Sequence, residues 1–575
     1  MTRADLQVFE RLAVGERVDA VELAAGELLF DVGEPLAWLW IVEFGQVEIV
    51  GPQGMVRAGP GALIGQVELM TERPTRARAI ARRDSWLRRI PVEHVRERAE
   101  RDPALAMALA RATAHASDDP SDESSPTLAT TVALLASHPR VDLDGFARTL
   151  AGTIAPRALV VARAERPSFS ALGSSEGRRR FAAWLAELAA RPGLALILLP
   201  LDAEPSDWNR ACAGSCDERV LVADGSSSPT PGPAERELGS IDRIALLHPA
   251  GTTRAPASAA WLAARTCASH HHLALGERRD HARLARFLIG RALGLVLSGG
   301  GARSFAHIGV IAALAELGIE IDAVAGASSG AAVGASLAAG HDIATIRDRM
   351  VFVMARKSPF GVPTLPLVSL RDSTRTAKVI EEACEGYTLE DLWLPFVAVS
   401  TNLSRGAVHL HRRGPLARAL LASGSMPVIM PPVLEAGDVL CDGGLLDNLP
   451  VGPARTLGVA AVLASDVSRP PRLDVDPNLA ALPLGFRGLI QRLGAAQRNE
   501  RAPSLMDIAH TSVAAAIGLQ RRLPGSEPEL LLRPGVEGFA LDAFSRHAEL
   551  EAVGRAHALA REGELRELLA RLQPP

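Results

Sequence analysis

Apolar and polar positions change rhythm along this chain, and each change marks a different kind of unit. Residues 22–34 and 39–50 alternate apolar with polar positions between glycine breaks, which predicts the hairpins of a β-roll. A glycine-rich turn at 59–65 leads into 67–70, and 92–116 is helical, so the first unit spans 4–116. The polar, acidic, proline-broken stretch 117–127 reads as a linker. Beyond it, apolar strand-like runs at 130–136, 158–162, 194–200, 219–223 and 243–248 alternate with helical patterns such as 178–190 and 257–267. That alternation predicts a parallel α/β layer over 128–285. A further α/β region, 293–468, passes twice from a strand through a glycine turn into a helix. The extension 469–575 starts proline-rich and becomes helical, with i, i+3, i+4 apolar spacing over 548–572.

Composition narrows the classes. A chain of 575 residues with 47% hydrophobic content can bury several cores, in three or four domains. A net charge of −4 gives no basic field for nucleic acid, so no nucleic-acid partner is expected. Five cysteines in this length do not make a disulfide framework, which points to a reducing cytoplasm. Charges at Arg3, Asp5, Glu10 and Arg11 argue against a signal peptide, and no uncharged apolar run reaches the ~18 residues of a membrane span. A soluble or peripheral protein is expected. Cys212 and Cys216 have no matching pair, and His270, His271 and His272 alternate in direction, so neither group is expected to hold a metal. The three histidines are expected in solvent. No metal and no cofactor is expected anywhere.

The chemistry concentrates in the third region. Strand 295–297 runs into Gly299, Gly300 and Gly301, then Ala302 and Arg303, where a helix starts. Backbone N–H groups of such a loop, with a helix N-terminus behind them, suit a developing anion. Strand 323–325 enters G-A-S-S-G at 326–330, the turn that presents a serine, Ser328, between Gly326 and Gly330. Downstream, 439–441 ends in Asp442 followed by Gly443 and Gly444, which place a carboxylate where close approach is possible. The glycine loop alone also fits a dinucleotide site, with Ser304 closing G-x-G-x-x-G and an acid in 319–322, but that reading has no use for the Ser328 turn.

Together S-G-G-G-A-R-S, G-A-S-S-G, D-G-G and the run 422–432 resemble the patatin-like phospholipase family, over about 293–468. The resemblance implies a patatin-like α/β three-layer hydrolase domain with a Ser–Asp dyad. Ser328 would be the nucleophile, Asp442 the base, and 299–303 the oxyanion hole. A free aspartate titrates near 3.9, so Asp442 needs desolvation to work as a base near neutrality. The alternative, a histidine triad, would draw on His510, His547 or His557, all in the helical extension. His307 is expected to be a packing or polar residue, and His409 and His411 are expected to be exposed on one strand face.

The first unit resembles the cyclic-nucleotide-binding domain. Where that family carries a glutamate for the ribose this chain has Gln66, and the arginine position for the cyclic phosphate falls on Thr75, with Arg76 beside it. Thr75 offers no bidentate cation, so a degenerate roll used for packing or dimerisation is expected. The order of roll, α/β spacer and patatin-like domain resembles the neuropathy target esterase branch, with one roll and no N-terminal membrane span. It implies a serine esterase acting on phospholipid or lysophospholipid. A non-catalytic docking protein and a lipid acyltransferase using the same dyad stay open. The apolar, proline-broken segment 351–368, with Arg356 and Lys357, is expected either to close the core or to touch the inner membrane face.

Overall fold

The computed structural model describes residues 18–52, 54–117, 128–169, 171–255, 258–356, 368–468 and 527–573. The expected linker, apart from Ser117, lies outside them, as do 357–367 of the apolar segment and the first part of the C-terminal extension. The chain forms two compact units, one up to Leu247 with Ala264–Ala268, the other His248–Ala263 with Ser269 onward.

In the first unit two four-stranded antiparallel sheets make the roll. Leu39 stands opposite Ile90 in the pairing of Trp38–Phe44 with Ser85–Pro91, and both side chains pack on Val95, Leu105 and Leu109 of the following helices. Trp40, Val42 and Leu87 instead close against Val47 and Ala79 of the second sheet. Five parallel strands follow, in the order Ala158–Val160, Leu196–Pro200, Thr130–Ala136, Glu218–Asp224, Arg243–His248. Their near-continuous apolar runs are what a sheet covered on both faces requires.

The second unit is built on an eight-stranded sheet. Phe396–Asn402, Ala323–Ala327, Leu293–Leu297, Ala461–Ser465 and Leu530–Leu532 lie parallel side by side. Asp438–Asp442 joins antiparallel to the end of Phe396–Asn402, beyond the point where Ala323–Ala327 stops pairing with it. Alternate strand residues serve two cores. Leu295, Leu297 and Leu463 pack under Phe305 and Ile308, whereas Val296, Val462 and Ala464 pack with Phe287, Val451 and Ala454. The result is a three-layer α/β domain. The C-terminal helix His547–Ala560 crosses Phe305–Glu316 at two glycines: a Cβ on Gly309 would lie 1.9 Å from Glu551 O, and one on Gly554 1.9 Å from Ala306 O.

Two sequence expectations are corrected. The described extension is not helical throughout, because Leu530–Leu532 completes the sheet edge. The histidine run is a strand, Ser269–Ala274, and is not solvated. His272 is buried, with Nε2 2.9 Å from Glu390 O and Nδ1 3.0 Å from His248 Nε2. Burial lowers its pKa well below the usual histidine range. His271 points the other way and stacks on Phe287, so the alternation expected of a strand holds.

Candidate active site

Ala323–Ala327 runs into the helix Ser328–Ala338 with no intervening residue, and the chain turns on Ser328 itself at φ 52°. A non-glycine residue in this left-handed region is strained, and such strain holds only where the surroundings enforce it. Space enforces it here. A Cβ at Gly330 would fall 2.4 Å from Ser298 O, and one at Gly326 2.7 Å from Ala331 N. Ser328 N–H donates to Ser423 Oγ at 2.8 Å, and that hydroxyl in turn donates to Val399 O at 2.6 Å.

The hydroxyl so presented meets a carboxylate. Ser328 Oγ donates to Asp442 Oδ2 at 2.8 Å, and Gly444 N–H donates to Asp442 Oδ1 at 2.7 Å. Gly443 and Gly444 form the tight turn Gly443–Leu445 just after Asp442. Burial pushes the Asp442 carboxyl up to about 6, against the lowering effect of its two hydrogen bonds. The desolvation demanded of a working base is therefore present.

The glycine loop surrounds this pair unevenly. Gly299 N–H donates to Asn448 O at 3.3 Å, and Gly300 N–H donates to Ser329 Oγ at 3.1 Å. Ala302 N–H donates to Leu541 O at 2.8 Å, Arg303 N–H to Gly300 O at 3.1 Å. Arg303 does not reach the serine: its side chain is buried and Nε donates to Phe539 O at 2.9 Å. Gly301, at φ 56°, shares a cavity wall with Ser328, and among the described residues it is the one member of 299–303 whose N–H has no acceptor. The helix expected near Arg303 starts at Phe305, after a 3-10 turn over Gly301–Ser304.

A cavity open to solvent adjoins Ser328. It follows Ala332, Ala335 and Ala339 of the Ser328 helix, is closed by Leu420 and Met426, and has Tyr387 among its lining residues. Val353 and Met354, from the described part of the apolar segment, also line it.

Among the described residues, no histidine joins the pair. His307 is fully buried between Ser465 Oγ (2.8 Å) and Ser298 O (2.9 Å), and burial lowers it to about 4. His547 and His557 lie on the C-terminal helix, and His510 is outside the described residues. His411, expected to be exposed, is buried. Three residues that position the site went unassigned in the sequence: Ser423, Ser329 and Asn448. Ser423 and Ser329 stand within the motif runs but no spacing assigns them a role, and Asn448 gives none either; each acts through hydrogen bonds to residues distant in sequence.

The family model described as patatin-like phospholipase matches residues 295–455, which hold the loop, Ser328 and Asp442. The Ser328 domain is patatin-like. Ahead of the patatin-like domain, a neuropathy target esterase family P-loop like domain matches 129–290 and a cyclic nucleotide-binding domain matches 20–102. The chain is 28% identical to neuropathy target esterase sws of Drosophila melanogaster, over 89% of this chain and 39% of that protein. It is 28% identical to patatin-like phospholipase domain-containing protein 6 of Homo sapiens, over 93% and 44%. It is 26% identical to lysophospholipase NTE1 of Yarrowia lipolytica, over 95% and 46%. The chain thus spans less than half the length of these curated relatives.

In the roll, Gln66 begins a helix, Gln66–Thr71, and is half-buried. Thr75 is buried with Oγ1 donating to Asp31 O at 2.6 Å, while Arg76 is exposed. The position where the resemblance puts the phosphate-binding arginine thus holds a hydroxyl already bonded to the backbone. Millimolar cyclic AMP or cyclic GMP is therefore expected to leave the melting temperature unchanged; a saturable rise with either would overturn this.

Gly301 carries a second expectation. A Cβ there would lie 2.5 Å from Leu541 O and would displace the loop. Gly301→Ala should lower kcat by about a hundredfold with little change in KM, the pattern of a lost transition-state donor. A raised KM with unchanged kcat would mean that the loop holds ground-state substrate.

Proposed function

We propose that this chain is a serine carboxylic ester hydrolase that releases fatty acid from phospholipid or lysophospholipid. One observation carries the reading: a strained serine hydroxyl hydrogen-bonded at 2.8 Å to a desolvated carboxylate, at the wall of an apolar cavity. Asp442 takes the Ser328 proton as the oxygen attacks the ester carbonyl, then returns it to the leaving alcohol. Gly301 N–H, with Ser329 N–H at the start of the helix, stabilises the oxyanion, and the positive helix end adds to both. Water, activated by the same carboxylate, releases the acid. The names of the relatives support the substrate class.

Such a substrate sits in a membrane, and the protein would act as a peripheral enzyme on the cytoplasmic face. No helix among the described residues is long and apolar enough to cross a membrane. Val368 (70% exposed) and Val428 (49%) give an apolar rim beside cavity-lining Met426 and Met430. A fluorophosphonate probe should label Ser328, and fatty acid should be released from lysophosphatidylcholine micelles. Absence of both would support the docking reading; transfer of the acyl group to a lipid alcohol in place of water would support the acyltransferase.

A further inference from the structure

We propose that His409, His411 and Glu435 form a zinc-binding site, separate from Ser328. His409 and His411 lie two apart on the strand Ala407–His411, so both imidazoles leave the same face. Their ring centroids are 4.6 Å apart. Glu435 comes from the neighbouring hairpin Val433–Glu435 and Asp438–Asp442, and one donor atom from each of the three residues lies within 4.8 Å of the others.

The surroundings hold the donors as a metal site needs. His411 Nε2 is 2.8 Å from Ser400 Oγ, which leaves Nδ1 as the ligating atom. A second hydrogen bond of this kind, fixing ring orientation and tautomer, is what ligating histidines carry. Glu435 Oε2 accepts from Arg418 Nε at 2.9 Å, which fixes the carboxylate beside the two imidazoles. Arg418 also repels a cation, so the site is tuned to an ion that binds imidazole strongly rather than to one held by charge alone. Two imidazoles and one carboxylate with an open fourth position are a zinc donor set, whereas calcium and magnesium take oxygen. Bonds of about 2.0–2.1 Å need tetrahedral donors roughly 3.4 Å apart, so zinc would draw the three donors closer together on binding.

The site is connected to the hairpin that ends at Asp442. Ser400, the partner of His411, stands directly opposite Asp442 in the strand pairing. Zinc would therefore brace the strand that presents the carboxylate, and the inference does not depend on Ser328 acting as a nucleophile.

The test is calorimetric titration of the full chain with zinc, alongside cobalt substitution. One zinc per chain is expected, with a saturable rise in melting temperature and the visible absorption of four-coordinate cobalt. His409→Asn and Glu435→Gln, the second of which keeps an acceptor for Arg418, should each weaken binding at least tenfold. The cobalt spectrum should be lost in both. No saturable binding by the wild-type chain would overturn the proposal. Zinc binding of unchanged strength in both variants would overturn it equally, because the ion would then sit elsewhere.

Discussion

Asp442→Asn is expected to abolish ester hydrolysis and, above pH 6, to make the protein more stable than the wild type. The activity arm follows from the 2.8 Å contact with Ser328: without the carboxylate no group accepts the serine proton, and a loss of about 10³-fold or more is expected. The stability arm follows from burial. The folded protein holds the Asp442 proton up to about pH 6, against 3.8 for a free aspartate. Because the folded value is the higher one, the stability linked to this proton is fully present below about pH 4 and is lost as pH rises through 6. At pH 8 the buried carboxylate costs roughly 3 kcal/mol, two pKa units at about 1.4 kcal/mol each. Asparagine stays neutral, so its advantage in melting temperature should be close to nil below about pH 4 and several degrees at pH 8, with about half of it already present at pH 5. Ser328→Ala should lose activity without gaining that pH-dependent stability, since the ion remains buried. In the wild type kcat/KM should rise through about pH 6. Calorimetry of Asp442→Asn at both pH values decides the matter: an advantage of equal size at pH 5 and pH 8 would mean that the carboxyl titrates normally.

The parts of this fold that could be read from sequence are those in which one element carries its own signal. The strands Thr130–Ala136 and Arg243–His248 are uninterrupted apolar runs, and their observed bounds match the expected ones. The Ser328 turn is equally local, since glycines on either side of a serine after a strand leave few other conformations. Ser269–Ala274 was missed because three histidines in a row look like solvent, yet Glu390 O and Phe287 supply their partners from elsewhere in the chain. The commitments of the glycine loop were illegible for a similar reason. Leu541 and Phe539, more than two hundred residues away, take up Ala302 N–H and the Arg303 side chain, and nothing in 299–303 announces them. Spacing can nominate five amides for one role, but only tertiary contacts show which are already in use.

The cavity, too, was invisible in sequence, and it makes the sharpest statement about substrate. Ala332, Ala335 and Ala339 recur at helical spacing along the helix that begins with the nucleophile, and all three line the cavity. A bland reading of such small residues is close packing, and Ala335 and Ala339 are indeed buried in the core, yet all three also border the cavity. From Ser328 to Ala339 the helix rises about 16 Å, which is the reach of roughly a dozen methylenes at about 1.3 Å each along a zigzag chain of 1.5 Å bonds. An acyl chain laid along this face would pass Ala335 roughly 10 Å from the serine. Ala335→Leu should therefore leave a butyryl ester almost untouched, because its chain ends before that point. A palmitoyl ester would lose the burial of its outer methylenes, each worth about 0.8 kcal/mol, and kcat/KM for it should fall about a hundredfold or more. Ala335 is buried, so Ala332→Leu, at a half-buried position nearer the serine, provides the control and should shorten the preferred chain further. Equal loss on both esters with a lowered melting temperature, in both variants, would mean that these alanines are core. Unchanged palmitoyl hydrolysis in both would mean that the acyl chain leaves Ser328 by another route.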